Sequence, residues 1–587
     1  MNRALLALVV LTATASGAVS QLAARPVGKL TSQDMTTGEG FGERSLDRSG
    51  DLLAVGTTES PSTITAGSAF VFRRSGTTWT LEDRMDGAPG TVFGRDVALD
   101  GDTLVVGAPT STLLGHPATN GFARAYVRSG TTWTPQAVLT ASDAAARDSF
   151  GGSVDVDGDR IVVGAVGGLV PGSSPPCRAG AVYVFERTGT QWSETAVFRG
   201  DASQCSTLGS DLGPQFGAEV ALEGDRFVVG SPTFETGVPG QHRGAVHVYE
   251  LESGAWVETT RLTSPLSFSS HVSGFGSKLA LDGERLGVGN PIAATALGIV
   301  VGAVHLYEFD GTAWTREATL FASDPRSGNG FGSSLDLDGG LLAVGEPNDR
   351  FEGVPQIGRV TVYRLGPHGW LENLEFRIQG AATETDFGTT VQLHGSELLV
   401  GAGRDGPVPQ AGAVYEFRLS VSPHAVFCSG NGTGCVACPC GNDTASFHSG
   451  GCRNDSDWSA TLEASGNASL SDGRVGLSLR GATPEALALL LSAEVRLPSA
   501  GSCPPGSGVV LPAHNGLRCI GSDLRRHGTR STDAQGRARM LTIGAGAPHG
   551  FVADQLRHFQ AVYRTPGQQG CSGNLNTSNG VSITFRP

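Results

Sequence analysis

Carboxylates alternate at Asp155, Asp157 and Asp159 in the stretch DVDGDR, and closely spaced acidic oxygens are what a calcium ion recruits. Arg160 and Ile161 follow where further oxygen ligands would be needed, and DLDGG at Asp336 and Asp338 offers fewer still. Both stretches predict ordinary hairpin turns, with calcium a disfavoured use and no cofactor expected. Arg199-Gly200-Asp201 spells a short adhesive tripeptide, a match that chance often produces at this length. His242, His271 and Asp211 are further polar candidates, with no spacing that makes them converge. The sequence has no nucleophile elbow, no H-E-x-x-H and no phosphate loop. Its reactive residues are mainly ten cysteines, a number that suits an oxidising compartment.

The elements that must position these residues are repeated. Phe-Gly occurs at Phe41, Phe93, Phe150, Phe216, Phe275, Phe331 and Phe387, each time followed by two short apolar runs, as in FGRDVALDGDTLVVGAP. The runs are joined by Asp-Gly or a similar pair (Asp100-Gly101, Asp157-Gly158, Glu223-Gly224, Asp282-Gly283, His394-Gly395), which suits a tight hairpin. A third strand follows a variable loop (GAVYVFER, for example), then a turn ending in Trp and a fourth strand such as QAVLTASD. Four antiparallel strands per repeat, seven times, predict an all-β chain folded as a seven-bladed β-propeller. Trp79, Trp133, Trp192, Trp256, Trp314 and Trp370 occupy one position of the repeat, where each is expected to pack on its own blade and pin its last hairpin. The seventh repeat lacks a fourth strand, and VGKLTSQD (Val27 to Asp34) precedes the first Phe-Gly. That N-terminal strand is expected to complete blade seven and close the ring, removing the exposed edges.

Phe-Gly followed by VVGAP resembles the FG-GAP repeat of the integrin α-subunit propeller and of exported bacterial proteins, over Val27 to about Ser420. The resemblance implies a propeller used for extracellular binding, with ligands met on one face. Members of that family often carry a calcium loop between the first two strands of a blade. Here that connection is a tight turn.

Residues 1–18 read as a secretory signal, Arg3 followed by an apolar run and small residues. Residues 27–420 are the propeller and 421–587 a Cys-rich domain, expected to be a small disulfide-rich β-sandwich. Eight cysteines lie there (Cys428, Cys435, Cys438, Cys440, Cys452, Cys503, Cys519, Cys571), and a disulfide framework is preferred over zinc in an exported chain. That tail resembles Cys-rich C-terminal modules of exported bacterial proteins. Arg518, Arg525, Arg526, Arg530, Arg537 and Arg539 form a loose basic cluster within it, read as a solvated face.

In an up-and-down blade the second-to-third loops and the blade-to-blade links emerge on one face. Cys177 and Cys205 lie in two such connections and are expected to form a disulfide. Length variation concentrates on that face, so recognition is expected there. A net charge of −14 excludes a general nucleic-acid binder, and no later apolar run is long enough to span a membrane. These observations predict an exported, non-catalytic binding or adhesion protein, secreted, cell-surface or periplasmic, that meets protein or glycan partners. The alternatives are a structural part of an exported assembly, or a polysaccharide lyase or hydrolase with carboxylates in the propeller funnel.

Overall fold

In the computed structural model, the described residues are 8–11, 20–31, 40–57, 66–109, 120–173, 177–205, 212–235, 242–265, 272–294, 299–322, 327–350, 355–366, 369–378, 384–405 and 411–427, together with strands between 461 and 584. The chain divides into two compact units, the larger holding residues 25–370 and 375–418. Among the described residues of that unit, the helical content is one 3-10 turn, Ala202–Gln204. The apolar runs at each Phe-Gly step form strands, because alternation and β-branched residues suit a sheet and each hairpin is turned by a glycine at positive φ.

Six blades are sequential antiparallel sheets spanning 46–86, 97–139, 150–199, 220–263, 278–320 and 334–378. Blade three is typical: Phe150–Asp157, Arg160–Ala165, Arg178–Thr188 and Gln191–Arg199, paired in that order. Blade seven has Phe387–His394, Glu397–Ala402 and Ala413–Phe427, and its fourth strand is Ser20–Leu30, paired with the third. The N-terminus therefore seals the ring. The sealing strand is Ser20–Leu30, beginning seven residues before the Val27 to Asp34 stretch that the repeat pattern predicts and stopping at Leu30. Lys29 Nζ meets Asp405 Oδ2 at 2.8 Å, and Phe41 N donates to Ala411 O at 2.8 Å across the same join.

Two glycines per repeat explain the motif. The Phe of six repeats bridges in parallel to a glycine at the start of the third strand of the preceding blade: Gly121–Phe150, Gly180–Phe216, Gly244–Phe275, Gly302–Phe331, Gly358–Phe387 and the ring-closing Gly412–Phe41. At Gly180 (φ 90°) a Cβ would overlap the carbonyl of Phe216, so only glycine permits that approach. Likewise the carbonyl of each Phe-Gly glycine abuts the glycine ending the preceding blade's second strand, from Gly56 against Gly94 round to Gly401 against Gly42. The seven phenylalanines are all buried to 1% exposure or less. They are the cores of the joins: Phe150 packs with Val105, Ala125 and Leu139 of blade two and Val163 and Tyr183 of blade three.

The tryptophans add a second role to the expected one. Trp133 packs into a cluster of blade-one and blade-two residues, and its Nε1 donates to Glu82 of blade one at 3.2 Å. Trp192 reaches Gln136 and Trp370 reaches Glu317, each one blade back, and Trp79 reaches Glu416 of blade seven. They are structural and sit on their own hairpins, as expected: Trp314 packs on its cross-strand partner Phe309, Trp256 on Phe227, and Arg187 lies over Trp192. The same indoles also tie each blade to its predecessor. The indole is long enough to serve both contacts.

In the second unit, Thr461–Gly466, Arg474–Arg480 and Ala538–Gly544 form one sheet. Arg525–Ser531, Leu487–Ala493, Leu556–Arg564 and Leu575–Thr584 pair in that order in another. The eight tail cysteines and most of the 1–18 segment lie outside the described residues. Among the described residues, no helix is long and apolar enough to cross a membrane.

Candidate functional site: the funnel and the loop face

First strands line a central cavity of about 280 Å³. Its charged walls are Asp47, Asp96, Asp155, Glu219 and Asp336, with Arg44 and Lys278. A carboxylate pair in this place is what a polysaccharide-cleaving enzyme would require, so the partners of these groups matter. Asp47 accepts from Arg48 N and Leu99 N; Asp96 from Val97 N and Val154 N; Asp155 from Val156 N and Leu222 N; Asp336 from Leu337 N and Leu393 N. In each case one oxygen binds the amide of its own strand and the other binds the first strand of the next blade. Glu219 instead meets Lys278 Nζ at 2.8 Å, again one blade on. Desolvation in the funnel pushes Asp336 up to about 8 and Asp47 up to about 6, despite the amide donors that oppose it. Asp155 is also pushed well up, by desolvation first and then by the charge of Asp47.

A second ring lies at the hairpin turns. Gly158 N donates to Asp100, Gly224 N to Asp157, Gly283 N to Glu223, Gly339 N to Asp282 and Gly395 N to Asp338; at the first join Gly101 N uses Ser49 Oγ. The acidic half of each Asp-Gly turn thus fastens its blade to the next turn. Sequence reading missed this role. The signal was an acidic residue at the same repeat position in five of seven copies.

This arrangement decides the fit of calcium. Asp155 binds Leu222 N, Asp157 binds Gly224 N, and Asp159 ion-pairs with Arg187 at 2.6 Å on the exposed side. The three aspartates serve three different partners, and the two-residue turn between them wraps nothing. They do not fit a calcium cradle. Among the described residues no group of three or more His, Cys, Asp and Glu is placed to hold a metal.

On the opposite, loop-bearing face, Cys177 and Cys205 form a disulfide with Cα atoms 5.5 Å apart. It joins the second-to-third loop of blade three to the link toward blade four. Arg199-Gly200-Asp201 lies beside it. The Arg199 guanidinium is held by Asp143, Gly200 N donates to Gly180 O at 2.9 Å, and Asp201 caps the turn at 202–204 by accepting from Ser203 N. Both charged ends of the tripeptide are engaged within the protein. Asp211, His271 and the side chain of His242 lie outside the described residues, as do stretches of loop in every blade of this face. Replacing both Cys177 and Cys205 by Ala opens a loop of 28-residue separation and should cost about 2–4 kcal/mol. A urea denaturation series on the oxidised protein and the variant measures it; a difference below about 0.5 kcal/mol would show that the staple is dispensable.

The funnel latches also predict a pH effect. Asp336 has a folded-state pKa above its ordinary value, so its contribution is complete below about 4 and is lost as pH rises through about 8. Asp336→Asn cannot ionise and should gain on the wild type by about 1 kcal/mol or more between pH 5 and pH 8. Denaturation midpoints of both proteins at the two pH values test this; parallel curves would refute it.

Three segments of the chain, 84–126, 133–185 and 314–363, match the family model of the FG-GAP repeat. Each begins on the fourth strand of one blade and runs through the Phe-Gly step into the third strand of the next, blades two, three and six. Three FG-GAP repeats in a seven-bladed ring support an integrin α-like FG-GAP propeller. No curated protein matches the chain. The unmatched FG-GAP blades keep the same buried phenylalanine and the same glycine contacts, so all seven copies are one structural unit.

Proposed function

We propose that this FG-GAP protein is exported and binds protein or glycan partners through the loop-bearing face of its propeller, without catalysing a reaction. The observation that carries this reading is the asymmetry of the two sides. On the hairpin side one acidic latch recurs from blade to blade. The loop side carries the varied connections and the disulfide, on a frame made rigid by seven interlocked joins. Support for a non-catalytic role comes from the funnel: four carboxylates have both oxygens occupied by backbone amides, and the fifth is paired with Lys278. A general acid or nucleophile needs an oxygen free to face substrate. The apolar run and small residues at positions 1–18 support export, and a structural disulfide is favoured in an oxidising compartment.

The test is incubation of the purified protein with cell envelopes and with acidic and neutral polysaccharides, scoring both co-sedimentation and release of shortened products. Retention that falls when the loop-side connections of blades two to four are shortened is the expected result. Release of oligosaccharides, abolished by Asp155→Ala and Asp336→Ala, would replace this reading with a funnel hydrolase or lyase.

A further inference from the structure

Blade six departs from its siblings at one pair of positions. Where blade seven pairs Ala402 with Ala413 at the loop end of its second and third strands, blade six pairs Glu346 with Arg359. Both side chains are fully buried. Around them Asp349 comes from the second-to-third loop, Glu375 and Arg377 from the fourth strand, and Asn329 from the link that enters the blade. Arg359 binds Glu346, and its Nη1 meets Glu375 at 3.0 Å; Arg377 meets Asp349 at 3.0 Å and Glu375 at 2.6 Å; Asn329 Nδ2 donates to Asp349 at 3.1 Å. Three carboxylates thus share two guanidiniums. One buried negative charge is in excess, and Glu346 Oε1 has no hydrogen-bond partner.

A second such oxygen lies one blade on. Asp386 Oδ1 is buried without a partner, while Oδ2 meets Arg404 at 2.8 Å, with the charges of Glu384 and Glu43 nearby. Asp386 adopts φ 51°, unusual for a residue with a side chain, and its amide donates to Gln356 O at 2.9 Å. Thr385 N donates to the same carbonyl at 3.0 Å, and Arg404 Nη1 donates to the Gln356 side chain at 2.8 Å. The end of the blade-six loop is therefore held between two buried carboxylates, each with one oxygen open to a proton.

We propose that this loop-side wedge between blades six and seven is a proton-linked clamp, tight while Glu346 and Asp386 are protonated and looser once they ionise. Protonating Glu346 balances its cluster at two carboxylates and two guanidiniums. Burial pushes Glu346 up to about 7 against the opposing charge of Arg359, and burial pushes Asp386 up to about 6 against that of Arg404. Both folded-state values are raised, so the clamp is fully formed below the ordinary carboxylate range and weakens as pH rises through 6 and 7. The recognition face would then present a more ordered blade-six edge in mildly acidic surroundings than in neutral or alkaline ones.

Hydrogen exchange of the full chain, corrected for intrinsic rates, reads this at the amides of Asp349, Gly358, Thr385 and Asp386, each of which donates within the clamp. Protection at these amides should fall about tenfold between pH 5.5 and pH 8, while the Arg128 and Leu251 amides of blades two and four stay constant. Glu346→Gln should hold Asp349 and Gly358 protected across the range, and Asp386→Asn should do so for Thr385 and Asp386. The double change Glu346→Ala with Arg359→Ala restores the small pair of blade seven, so it keeps the test available if the single variant fails to fold. Flat protection in the wild type overturns the proposal. An unchanged pH response in the variants overturns it equally.

Discussion

Glu397→Ala should destabilise the propeller by about 3–5 kcal/mol at neutral pH, one of the two largest effects expected of a single substitution. Glu397 lies at the seam where blade seven meets blade one. Its carboxylate binds Arg74, Arg48 at 2.6 Å and Arg418 at 2.7 Å, and Arg74 continues to Glu416 at 2.7 Å. Arg48 and Arg74 are almost wholly buried, so removing their shared acceptor leaves two guanidiniums without adequate counter-charge in a place water does not reach. Burial would raise the Glu397 pKa, but the hydrogen bonds from the three arginines hold it at about 2. A depressed value means the seam is intact above the ordinary carboxylate range and is lost as pH falls from about 4.5 toward 2. Chemical denaturation at pH 7 measures the effect. For scale, Lys29→Ala removes a partly exposed ion pair at the same join and should cost under about 1 kcal/mol. Equal costs for the two variants would mean that the buried network does not hold the ring shut.

Phe150→Ala should cost a similar amount, about 3–5 kcal/mol, by a different mechanism. The ring is fully buried and lies against Tyr183 at 5.2 Å and Phe185 at 6.1 Å, between blades two and three. Truncation loses the transfer free energy of the ring and leaves a cavity that the rigid backbone contact between Gly121 and Phe150 prevents from collapsing. Val138→Ala, at an exposed outer position of blade two, should stay within about 0.5 kcal/mol. Denaturation curves for the two variants separate the cases. A small loss at Phe150 would mean that adjacent blades repack around the gap, contrary to the close-packed joins described here.

Much of this follows from particular residues in the sequence. A phenylalanine and a glycine recurring at fixed distance from an Asp-Gly turn and a Val-rich run can satisfy their strands only as repeated hairpins, and a missing last strand requires the N-terminus to supply it. Cys177 and Cys205 were legible as a pair because their two connections emerge on one side of a blade. The partners of Asp157, Trp133 and Glu397 were not legible. Gly224 is 67 residues beyond Asp157, Glu82 is 51 residues before Trp133, and Arg74 is 323 residues from Glu397. Local pattern fixes the hydrophobic period and the turn chemistry of each blade, because these depend on neighbours within a few residues. Which carboxylate meets which amide depends on how one blade is placed against the next, and only the closed ring sets that placement. The same distinction governs the candidate site. Acidic residues along first strands can be read as possible catalysts or calcium ligands from the sequence, whereas the tertiary structure turns them toward the next blade and makes them latches.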